Sequence, residues 1–175
     1  MLILLILIIA IIGNQYILNS ETNQTQENLE YNEQKLSNSI IQDTNEEVKN
    51  WKIEIPKISL IAHISEGTDE ETLNKFVGHF LMTPKEEGNI GLAAHNRGYP
   101  INYFENLKSL KGGEEIIYTY GEFTKTYVVI KNIKISDTDW SYLENSNENK
   151  ITLITCIENE PSYRRCVQAI EKEEN

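Results

Sequence analysis

Hydrophobic positions fall along this chain in three regimes. Residues 1–12 are apolar without a break, Gly13-Asn14-Gln15 interrupts, and Tyr16-Ile17-Leu18 adds a short apolar triplet. A spanning helix takes roughly 20 apolar residues, and a signal peptide carries a basic start and a small-residue cleavage site. The run fits neither pattern fully, since no lysine or arginine precedes it; a start further upstream would restore both length and positive flank. With no polar face, residues 1–18 read as a membrane anchor or signal-anchor, which places the rest of the chain outside the cytoplasm. Residues 19–49 are dominated by Asn, Gln, Glu, Ser and Thr. Their few large apolar groups do not offset the entropy of ordering, so the segment reads as an acidic disordered linker.

From residue 50 the texture becomes that of a folded domain, 50–175. Trp51 to Ile55 alternates and stops at Pro56, as a strand does where a backbone donor is lost. Ile58 to Ile64 predicts a second strand. Thr68 and Glu71 have capping-box spacing, and Leu73, Phe76 and Val77 follow at helical intervals up to Gly78, predicting one short helix. Asn89 to Ala94 is a run of small and apolar residues, the pattern of a strand buried on both faces, and it delivers His95 at its end. Tyr103 to Leu110 predicts a helical turn. Glu115–Tyr120 and Thr124–Ile135 flank Gly121 as a hairpin. Asp137–Asn149 reads as loop with a helical turn near Trp140, Ile151–Thr155 as a strand ending on Cys156, and Cys166–Ile170 as the last strand. Seven or eight short strands with one or two minor helices make an all-β, closed or nearly closed barrel the economical arrangement.

Charge narrows the partners. The net charge is -11, and no Lys/Arg cluster with interleaved aromatics is present, which argues against nucleic acid. Residues 19–49 carry seven acids against Lys35 and Lys49, so the linker supplies -5 of that total. An exported chain with two cysteines, Cys156 and Cys166, invites a disulfide reading. A bridge closing so short a loop would staple little and would consume the one strong nucleophile, so both are read as free thiols.

Thiol chemistry needs a thiolate, a proton carrier and a positive group near the oxygen that becomes charged. Cys156, His95 and Arg164 are candidates for those three parts, each read at a strand end, where a side chain is both held and reachable. Taken singly each signal is weak: a lone His is usually a surface or core residue, and a lone Cys a small buried apolar group. Arg164 and Arg165 are adjacent, and only one of them faces the site, because neighbours on a strand point to opposite faces. His63 and His79 read as structural, and their spacing with His95 matches no common zinc pattern.

Together these residues carry a resemblance. Thr152-Leu153-Ile154-Thr155-Cys156 resembles the Thr-Leu-x-Thr-Cys signature of sortases, followed within about a dozen residues by an arginine. Gly78-His79-Phe80 and Gly88 to His95 resemble the segment that leads to the family's catalytic histidine, with Ala94 where many sortases have glycine. Arg164 to Ala169 resembles the closing strand best with Arg164 in the catalytic place. The resemblance implies an eight-stranded sortase-type β-barrel and a cysteine transpeptidase that needs no cofactor or metal. Cys156 would attack the carbonyl after a threonine in an LPxTG-like C-terminal sorting signal of a surface protein. His95 would protonate the leaving amine, Arg164 would bind substrate or oxyanion, and an amine of a peptidoglycan precursor or a pilin would accept the acyl group. Ser136–Lys150 is too short for the helical insertion of class B enzymes, and no class C lid motif precedes the barrel, leaving a class D-like or class A-like enzyme on the Gram-positive cell membrane, single-pass and facing outward. A cysteine endopeptidase passing the acyl group to water, or a non-catalytic surface-binding β-domain, are the alternatives.

Overall fold

The computed structural model describes residue 35 and residues 50–173; the anchor expected at 1–18 and nearly all of the linker lie outside the described residues. Among the described residues no helix is long and apolar enough to cross a membrane.

Alternation does its work first in β1 (Lys52–Ile55), where Ile53 and Ile55 are fully buried and Lys52 and Glu54 are not. Pro56 ends the strand and opens a 3-10 turn over Pro56–Ile58, closed by Ser59 at φ +52° with its N–H on the Pro56 carbonyl. That turn takes up Ile58, so β2 begins two residues later than the apolar pattern suggests and runs Leu60–Glu66, antiparallel to β1.

The helix α1 is shorter than expected, Glu70–Leu73, and its cap is Asp69 rather than Thr68: the Asp69 carboxylate accepts the Thr72 N–H at 3.0 Å. A carboxylate at this position satisfies an orphan donor and suits the positive end of the helix. Phe76 lies beyond the helix, while Val77 and Gly78 belong to β3 (Val77–His79), which pairs in parallel with β2. The segment carrying α1 is therefore the crossover that a parallel pair requires. Gly78 is fixed by close packing, since a Cβ there would lie 2.3 Å from the Gly67 carbonyl oxygen.

The remaining strands are β4 (Asn89–Ala93), β5 (Glu115–Tyr120), β6 (Phe123–Ser136), β7 (Lys150–Ile157) and β8 (Glu160–Glu171). They close an eight-stranded barrel in the order β1-β2-β3-β4-β7-β8-β6-β5, with β4 and β7 parallel. Ile53, Ile64, Leu92, Tyr118, Leu153 and Val167 help fill the interior. A second apolar cluster of Phe80, Ala93, Ile135, Leu143, Ile154 and Cys166 lies on the opposite face of β4, β7 and β8, with Leu143 brought by the segment joining β6 to β7. All five β4 residues are buried, as a strand covered on both faces must be.

Strands β7 and β8 correct the expected boundaries. β7 continues past Cys156 to Ile157, and β8 starts four residues before Arg164, so both residues lie within a paired hairpin and not at strand ends. The hairpin turns at Glu158-Asn159, with Asn159 at φ +60°, a conformation that asparagine tolerates. Pro161, Ser162 and Tyr163 are exposed, which is why no hydrophobic pattern announced the strand there.

One buried side chain ties the β6–β7 segment to the barrel. Asn89 Nδ2 donates to the Tyr142 and Glu144 carbonyls at 2.8 Å each, and Thr152 Oγ1 donates to Asn89 Oδ1 at 2.7 Å. Asn89→Ala should strand these partners and cost about 3 kcal/mol, read as a lowered denaturant midpoint with an unchanged m-value.

Candidate active site

β4 and β7 run side by side in parallel, and their register ends with Ala93 opposite Ile154. Beyond it the Ala94 N–H still reaches the Ile154 carbonyl at 3.4 Å, and Thr155 Oγ1 donates to the Ala94 carbonyl at 2.7 Å. His95 follows two residues beyond that last pair, where the same register, if continued, would meet Cys156. On the other side of β7, Cys156 is paired directly with Arg164 in β8. The structure thus pairs Cys156 with Arg164 and brings His95, two residues past the end of β4, out of the strand that lies beside β7. Cross-strand partners share a face, so Cys156 and Arg164 share one, while Arg165, paired with Thr155, takes the other.

The two thiols differ sharply. Cys156 is exposed and free; Cys166 is free but fully buried. Burial pushes the Cys166 thiol up to about 12, with Lys131 acting downward and Asp139 upward. His95 is partly buried, and desolvation holds its imidazole below the ordinary value while the Glu70 carboxylate acts in the opposite sense. Its Nε2 is buried without a hydrogen-bond partner among the described residues.

Side chains divide the arginines less simply than the backbone does. A cavity of about 220 Å³ opens beside Cys156, and Asn96, Arg97, Glu158 and Arg165 are among its walls. Arg165 Nη1 also donates to Asn132 Oδ1 at 3.4 Å, and Asn132 Nδ2 in turn holds the Leu107 and Leu110 carbonyls. Arg164 lines a different hollow, with Ile154, Trp140 and Tyr142, and its Nη1 donates to the Pro161 and Tyr163 carbonyls of its own hairpin at 2.7 and 2.8 Å. Arg97 and Glu158 form an ion pair between the segment after β4 and the β7–β8 turn. Neither that pair nor Tyr99, whose ring lies on His95, was legible in the sequence: both belong to turns without periodicity.

His63 and His79 stand apart from Cys156 and Arg164. His79 is buried, its ring nitrogens within 2.9 Å of Glu66 Oε2 and 3.0 Å of Thr83 Oγ1, a structural tie between β2, β3 and the turn after β3. Among the described residues no group of three or more His, Cys, Asp and Glu is arranged to hold a metal ion.

Comparison with known proteins bears on this geometry. A family model described as a sortase domain matches residues 53–172. Sortase D from Bacillus subtilis (strain 168) is 36% identical over 108 residues, which cover 59% of this chain and 52% of that protein. Sortase A from Bacillus anthracis is 29% identical over 123 residues, 67% of this chain and 57% of that protein. The chain therefore spans little more than half the length of these curated relatives. The structure of sortase A from Corynebacterium diphtheriae, lid mutant, superposes with a TM-score of 0.67 at 26% identity, covering 72% of this chain and 71% of that one.

Two measurements check the site's chemistry. A water-soluble thiol reagent should modify one cysteine per native chain, and Cys156→Ala should abolish that labelling while Cys166→Ala leaves it. The His95 ring binds a proton less readily folded than unfolded, so the unfolded state takes up more protons as pH falls through about 6.5. His95 therefore costs no stability above that pH and destabilises the fold below it. A plot of Tm against pH should show a shallower acid decline for His95→Gln than for the wild type.

Proposed function

Since the chain belongs to the sortase family, we propose that it is a cysteine transpeptidase acting on LPxTG-like sorting signals of surface proteins. The observation that supports this reading is an exposed Cys156 paired directly with Arg164, on the strand beside the one that leads to His95. The Cys156 thiolate attacks the backbone carbonyl carbon after the signal's threonine. The oxygen that becomes negative is met by the Arg164 guanidinium, which exchanges its hairpin carbonyls for substrate. The carbon–nitrogen bond then breaks, His95 as imidazolium gives its proton to the departing amine, and a thioester remains on Cys156. An incoming amine, from a peptidoglycan precursor or a pilin lysine, attacks the thioester; His95 takes its proton and the thiolate leaves.

Residues 1–18 would anchor the chain in the cell membrane as a single pass, with 19–49 as linker and the domain from residue 50 outside. The β6–β7 segment, whose only helical element is the 3-10 turn Ser141–Leu143, supports a class D-like or class A-like enzyme over class B.

Incubation of the full chain with a library of sorting peptides, followed by mass measurement of the trapped thioester, tests nucleophile and substrate class together. Added amine should divert the thioester from hydrolysis to transfer; a chain that yields acid alone is an endopeptidase, and one that forms no thioester is a binding domain. Cys156→Ala and His95→Ala should abolish transfer. Arg164→Ala should lower kcat by about 10²–10³-fold, the loss typical of a removed oxyanion donor. Arg165→Ala should lower it far less, and the reverse order would show that the strand faces have been assigned wrongly.

A further inference from the structure

The geometry points to Tyr99 as a positioning residue that holds the His95 imidazole by lying flat against it. The two rings are stacked with centroids 3.5 Å apart and planes 4° apart. Aromatic pairs usually keep centroids roughly 4.5–7 Å apart in offset or edge-to-face arrangements, because two negative ring faces repel. A ring carrying positive charge reverses that preference, as a cation over a tyrosine face is attracted. The contact therefore favours the protonated imidazole that the leaving amine requires, an inference resting on the reading of His95 as proton carrier.

The segment carrying Tyr99 is built to keep it there. Gly98 takes φ +85°, open to glycine at no steric cost, and turns the chain back. Asn102 clamps the tyrosine backbone from both sides: the Tyr99 N–H donates to Asn102 Oδ1 at 3.3 Å, and Asn102 Nδ2 donates to the Tyr99 carbonyl at 2.8 Å. The N–H of fully buried Phe104 donates to the His95 carbonyl at 3.1 Å, tying the segment's far end to the same histidine. Tyr99 itself is 45% exposed, so core burial does not explain its orientation. Of the charges nearby, Glu70 of α1 acts on the ring, and Arg97 is occupied by Glu158.

The test uses the full chain labelled at histidine, which has only three such residues. The His95 ring protons should be shifted upfield by the tyrosine ring in the wild type and in Tyr99→Phe, and should lose that shift in Tyr99→Ala. Unmoved His79 signals certify the fold. With a sorting peptide, Tyr99→Ala should lower kcat roughly three- to tenfold, the size set by an aromatic contact, with KM unchanged; Tyr99→Phe should restore it. A Tyr99→Ala chain with both resonance and kcat unmoved overturns the inference, as does a Tyr99→Phe chain that fails like the alanine. A wild type that forms no thioester overturns the reading of the site instead, and with it any catalytic purpose of the stack, whatever the resonances show.

Discussion

The parallel pairing of β4 with β7 is the constraint on which the site depends. A slip of one residue would send every side chain of one strand to the other face, shifting His95 relative to Cys156 and breaking a strand buried on both sides. Register is held by apolar groups inside and outside the barrel at once: Leu92 opposite Leu153 in the interior, Ala93 opposite Ile154 in the outer cluster. The Thr155 hydroxyl on the Ala94 carbonyl carries the alignment one step beyond the last ladder pair. The threonine before the cysteine thus has a mechanical task, fixing the end of β4 from which His95 projects.

Much of the barrel was legible because its strands either alternate between an apolar and a polar face or run apolar where both faces are covered. β1, the β5–β6 hairpin and the doubly buried β4 follow their hydrophobic patterns closely. The sequence misleads where tertiary pairing overrides local spacing. Val77 sits at a helical interval from Leu73, yet it is drawn into β3 by parallel pairing with Ile64. The early part of β8 is exposed and polar, so its membership of the sheet rests on hydrogen bonds to β6 and β7 that no periodicity records. The same holds at the site. Cys156 and Arg164 were legible as types and in spacing; their direct pairing, and the stacking of Tyr99 on His95, depend on turns that only the fold reveals.

The proton carrier sits in an environment that works against its proposed task. Burial disfavours the imidazolium, and the carboxylate that offsets this, Glu70, lies on α1. A ring that loses its proton easily suits the step in which an amine leaves, because the transfer runs downhill toward a more basic nitrogen. It also means that fewer chains hold that proton at neutral pH. A tyrosine face against the ring shifts the balance back without a second charge that would compete for the thiolate.

The two cysteines show how much of this reactivity is a matter of cover. Cys156 and Cys166 have the same chemistry and, by register, project from the same face of the β7–β8 hairpin: Cys166 pairs with Ile154, two residues from Cys156. Over Cys166 lies the apolar cluster that Leu143 of the β6–β7 segment helps to close, roped down by Asn89 and Thr152, and there the thiol stays protonated. Toward the hairpin's tip that cover runs out. The sulfur two residues further along is left in the open, on a residue paired across the hairpin with Arg164. The barrel thus buries one thiol and exposes its neighbour through the packing of its outer cluster, with no change to either cysteine.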